Sequence, residues 1–185
     1  MPFRALVLSI ICTLPIALGA TVLVPAEFRE IVNGADIIAY GRVVETTVEQ
    51  SDDRKHVETL VTFEVATYLK GGPGETLVFK VPGGTVGRYR NVLVGAPQFA
   101  RGDEAVLFLN SRGRDLPSVF GLNQGVFRVA LDRATQRRMV APPLLGRSDA
   151  PEAVVRGAAT RRSLPLETFG AQVRTVLDEA GRGVR

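Results

Sequence analysis

Three short stretches carry residues that could do chemistry. The first runs Val81-Pro82-Gly83-Gly84-Thr85-Val86-Gly87-Arg88-Tyr89-Arg90. Glycines followed by cations could cradle a phosphate on backbone amides. A P-loop, however, closes with Lys then Ser or Thr and leads into a helix. This stretch has neither, and a dinucleotide fingerprint needs the same helix to present its amides. The glycines therefore read as hinges, giving positive φ or close backbone approach. What remains is an exposed loop on which Gly83, Gly84, Arg88, Tyr89 and Arg90 form a candidate binding patch.

The second stretch is Asp103-Glu104, after Arg101-Gly102. Two adjacent acids could do acid/base work, but Gly and Asp at this point favour a tight turn. The third is Asp52, Asp53, His56 and Glu58. Its spacing lacks the alternating acids, central glycine and final glutamate of a calcium loop. Zinc needs more nitrogen or sulfur ligands than one histidine supplies. An exposed, charged hairpin tip is the better reading. His56 is the only histidine, and no serine sits in a G-x-S-x-G turn, so a hydrolase triad is not visible. Two acids distant in sequence could still meet in space. No catalytic, metal or cofactor residue is assigned, and no cofactor is implied.

The elements that would position these groups follow from periodicity. Phe28, Ile31 and Val32 share one face of a short helix, with Pro25 at its start and Asn33-Gly34 as a left-handed cap. The period then falls to two. A strand from Asp36 to about Val48 contains Gly41, which suggests a bulge. Val57, Thr59, Val61, Phe63, Val65, Thr67 and Leu69 alternate along a second strand and predict one dry face. Leu77, Phe79 and Val81 predict a third. Ala105–Leu109 has no polar position, so both faces should be covered. Phe127, Val129 and Leu131 alternate in another strand, and Met139-Val140 adds a short one.

Pro142–Ser163 has no period and reads as a linker. Ser163 then caps a helix with Pro165 in its first turn and Gly181 at its end. Its stripe of Leu166, Phe169, Val173, Val176 and Leu177 is expected to dock on the barrel, the alternative being a partner-binding helix. The predicted organisation is a signal peptide over 1–20, a β-barrel domain over 21–141, a linker over 142–163 and an amphipathic helix over 164–181. The fold class is mainly β: a small antiparallel OB-like barrel of five or six strands, with a short N-terminal helix and a C-terminal amphipathic helix.

Compartment is read from the first residues. A short cationic start, an apolar run from Ala5 to Leu18 and the small residues Ala17-Leu18-Gly19 make a secretory leader. The run is shorter than the roughly 20 residues a membrane span needs. The expected location is periplasmic or extracellular, with the membrane touched only through the cleaved leader. Cys12 is the single cysteine and lies in that leader. Ile11 before it is too large for lipidation. The mature chain then has no disulfide and no thiol chemistry, and at this length its own core must hold it. Net charge is +4, with the basic excess in the second part carried by arginine alone. Those arginines are scattered and no aromatics interleave with them, so nucleic acid is not an expected partner.

Ala35-Asp36-Ile37-Ile38-Ala39-Tyr40-Gly41-Arg42-Val43, then Thr59-Leu60-Val61-Thr62-Phe63-Glu64-Val65, Leu69-Lys70-Gly71, Val81-Pro82-Gly83-Gly84 and Gly102–Leu109 carry a resemblance. The chain resembles a group of uncharacterised exported bacterial proteins. More distantly, over about Ala35–Leu109, it is similar to the netrin-like module of tissue inhibitors of metalloproteinases. The resemblance implies an OB-like barrel. It does not carry inhibition across, because those inhibitors chelate zinc through a mature N-terminal cysteine that this chain lacks. The expectation is an exported, non-enzymatic protein-binding module, a partner or inhibitor of a secreted protease or envelope protein. The alternatives are an exported hydrolase using carboxylates only, and an envelope structural protein.

Overall fold

The structure, a computed structural model, describes residues 26–50, 56–72, 74–143 and 163–183. The leader, Pro25, the acids Asp52 and Asp53, and most of the 142–163 segment lie outside the described residues. The elements are α1 (Phe28–Gly34), β1 (Ile37–Gln50), β2 (Val57–Lys70), β3 (Thr76–Pro82), β4 (Gly84–Val86) and β5 (Tyr89–Asn91). They continue with β6 (Glu104–Asn110), β7 (Ser118–Val119), β8 (Val126–Asp132), β9 (Arg137–Ala141), β10 (Leu164–Pro165) and α2 (Leu166–Arg182).

Five strands close a barrel in the order β1-β2-β3-β7-β6, with β6 pairing back onto β1. All these pairs are antiparallel except β3 with β7, which meet in parallel at Lys80 and Ser118. β8, β9 and β10 extend the sheet from the other edge of β6. The fold is thus mainly β and OB-like, with helices at both ends.

The apolar run of β6 is central because both its faces are covered. Ala105, Leu107 and Leu109 point into the barrel beside Val43, Val61, Phe63 and Phe79. Val106 and Phe108 point outward into a second core, closed by α1 and α2. Four rings meet there: Phe169 lies 5.0 Å from Phe127 and 5.5 Å from Phe28, and Phe108 lies 5.1 Å from Phe127. The stripe on α2 therefore docks on its own barrel.

Several local expectations are corrected. The dry face of β2 does not persist to Leu69. Register shifts leave Ala66 and Leu69 as extra residues opposite β1, and each bulge reverses which side faces inward. Tyr68 consequently packs in the barrel and Leu69 against the helices. Gly34 is not a left-handed cap: the residue after the helix, Ala35, is extended. Gly34 serves packing instead, since a Cβ there would sit 2.7 Å from the Phe120 ring. Lys70 reaches the end of α1, donating to the Asn33 carbonyl at 3.0 Å, where a cation suits the helix dipole. Leu131 is exposed at the far end of β8, beyond the cover of the helices. Ser163 does not cap α2. Leu164 and Pro165 pair with β9, and the helix runs past Gly181 to Arg182.

Candidate functional site

The Gly83-Gly84 hinge folds β4 and β5 back over the β1–β2 ribbon. Gly83 has φ +94° and Gly84 φ +155°, conformations that side chains disfavour. At Gly84 a Cβ would lie 2.6 Å from Val48 Cγ1 and 3.0 Å from Thr59 Oγ1. The hairpin backbone seats this closely on the Val48 and Thr59 side chains only because Gly84 has none of its own. The Gly83 N–H already donates to the Val57 carbonyl at 2.8 Å, and its own carbonyl accepts from Thr59 Oγ1 at 2.7 Å. Its amide is therefore not presented to an anion, and the chain beyond it is a hairpin, not a helix. Val86 pairs with Tyr89 across a two-residue turn, with Gly87 at positive φ.

Between this hairpin, β1 and the segment leading to β6 runs an open groove of about 560 Å³. Thr46 and Val48 of β1 line it on one side, and Leu93 and Ala96–Phe99 on another. Val81 and Pro97 of its lining are buried and Phe99 is half-buried. Phe99 is fixed by an edge contact with Phe79 at 5.3 Å and by the Arg128 guanidinium stacked 5.4 Å from its centroid. Arg128 also donates to the Gln98 carbonyl and pairs with Asp103 at 2.8 Å. The inner wall is thus tied down by one side chain from β8, Arg128, and by Phe79 of β3.

The rim is different. Tyr89, Val92, Leu93 and Val94 are exposed large apolar residues in near succession, Val94 at 90%. An apolar cluster of this kind marks a contact surface more often than a single exposed residue does. Of the residues singled out from sequence, Gly83, Gly84 and Arg90 line the groove. Arg88 and Tyr89 occupy the hairpin tip, where the Arg88 guanidinium lies 5.3 Å from the Tyr89 ring. Sequence reasoning missed Thr46, Val48 and Val92–Val94. The run Val92-Leu93-Val94, too short for a buried strand and followed by Gly95, was the available signal.

A second constellation lies on the outer face of β1 and β6. Tyr40 donates to Glu104 Oε2 at 2.7 Å, and Arg138 Nε lies 3.0 Å from the same oxygen. Arg42 pairs with Glu64 at 2.9 Å. Burial opposes ionisation of Glu104, but the hydrogen bonds from Tyr40 and Arg138 and the Arg138 and Arg42 charges outweigh it. Its carboxyl is held below the usual range. Burial, with the Glu104 contact, pushes Tyr40 up to about 12. A general acid at neutral pH needs the opposite shift on its carboxyl. Asp103 makes the turn expected of it, accepting from the Ala100 N–H at 3.0 Å. Among the described residues, no group of three or more His, Cys, Asp and Glu is placed to hold a metal. Glu58 faces Lys80 at 3.4 Å instead.

No family model matches the chain, and no curated protein matches it significantly.

Proposed function

We propose that the protein is an exported, non-enzymatic binding module that captures another exported protein in the groove beside β4 and β5. The partner would be a secreted protease or an envelope component. The observation that carries this reading is the exposed apolar row Tyr89, Val92, Leu93 and Val94, of which Val92 and Leu93 line a groove whose inner wall is held by Arg128 and Phe79. Such a pairing of apolar rim and fixed wall suits protein recognition. Export rests on the sequence of the leader.

The carboxylate-hydrolase alternative finds no support in the shifted acids. Asp132, like Glu104, is lowered, by hydrogen bonds from the Ala134 backbone and the Thr135 side chain. The envelope-scaffold alternative, based on arginine charge, is weakened because Arg128, Arg137 and Arg138 face Asp103, Glu167 and Glu104.

A photoreactive residue placed at Val94 and irradiated in intact cells tests the reading. A discrete adduct with an exported protein is expected, absent when the probe sits at exposed Thr175 on α2. Equal labelling from both positions would remove the groove as a binding surface.

A further inference from the structure

β1 outruns one of the two strands that flank it. β2 pairs with it from Ile38 to Gln50, but β6 covers its other edge only from Ile37 to Arg42. Beyond that, the Gly102 N–H donates to the Val43 carbonyl and the β1 edge is left. From Glu45 to Glu49, among the described residues, β1 pairs with β2 alone. An edge of this kind presents alternate N–H and C=O groups to an incoming chain. It also borders the groove, since Thr46 and Val48 line it while Ala96–Phe99, leading to β6, form the facing wall.

We propose that this open edge of β1 accepts an extended peptide strand of the partner, bearing one carboxylate that meets Arg90. The proposal rests on the groove being the binding surface, and it names the occupant. Strand addition supplies affinity through main-chain hydrogen bonds and specificity through alternate side chains. Among the described residues Arg90 is the only charged one lining the groove and makes no ion pair, so a carboxylate is its natural complement. A second copy of this chain is disfavoured. Antiparallel self-pairing centred on Thr47 would set Glu45 opposite Glu49, and like charges directly opposite are destabilising.

A random decapeptide library displayed on phage, selected against the protein, supplies the probe. Enriched peptides should alternate apolar residues and carry Asp or Glu, and a labelled copy should bind by fluorescence anisotropy. N-methylation at every second peptide bond should weaken binding at least about tenfold, the cost of roughly one lost hydrogen bond and a steric clash. The intervening positions should tolerate it within about twofold. Arg90→Ala should weaken the acidic peptide about fivefold, and replacing its acid by the amide should abolish that difference. Failure to enrich any peptide overturns the proposal. So does insensitivity to N-methylation; if such a peptide still loses binding on Val94→Asp, the groove reading survives while strand addition falls. A dimer in sedimentation that Glu45→Lys strengthens would assign the edge to self-association and also overturn it.

Discussion

Glu104 shows how a single residue is set by opposing effects. Half-burial disfavours its charge, while Tyr40 and Arg138 favour it. Its folded-state pKa is therefore below that of the unfolded chain. By linkage it adds stability above the ordinary glutamate range, and that stability is lost as pH falls through the depressed value. Tyr40→Phe removes one donor and should cost about 1 kcal/mol at pH 7. The deficit should shrink as pH drops below the Glu104 value, because the protonated carboxyl no longer needs the bond. Urea titrations of both proteins from pH 7 to pH 3 measure this. A deficit independent of pH would mean the hydroxyl acts only through packing.

At the scale of elements, bulges and docking faces decide. Gly41 lies beside a register shift between β1 and β2, and a Cβ there would overlap the Glu64 carbonyl oxygen and lie 2.8 Å from the Phe63 ring. Gly41→Ala should therefore destabilise by roughly 3 kcal/mol, a cost typical of overpacking against backbone. A shift in urea midpoint with an unchanged slope would establish it. Phe169 contributes differently, as the α2 ring inserted among Phe28, Phe108 and Phe127. Phe169→Ala should cost about 3 kcal/mol or more through the cavity it leaves. Leu131→Asn, on an exposed strand end, should change stability by less than about 0.5 kcal/mol. That comparison separates burial from mere apolar character.

For the whole molecule, stability comes from two cores that share β6. Removing residues 164–185 would strip α2 from the outer core and expose Phe28, Phe108 and Phe127. The shortened protein should bind the dye ANS and lose near-UV circular dichroism while keeping its strand signal. A truncated protein that unfolds at the same temperature as the intact one would show that the barrel stands without its helix. With Cys12 the only cysteine, a reducing agent should leave the melting temperature unchanged.

Period-two alternation by itself determined β1, β2, β3 and β8, and the unbroken apolar run of β6 announced that it would be covered on both sides; the two-residue β7, which closes the barrel, left no such pattern. Those patterns are legible because burial acts on each position of a regular strand in turn. The stripe on α2 was legible for the same reason. Bulges at Ala66 and Leu69 were not, since an extra residue is defined by what lies opposite it, not by its own type. The hinge character of Gly83 and Gly84 could be read, but not which walls they bring together. Tertiary structure alone decided that Val48, Arg90 and Leu93 share one groove and that β1 outruns β6. Both depend on where strands distant in sequence end relative to one another, and no local pattern of residues encodes that distance.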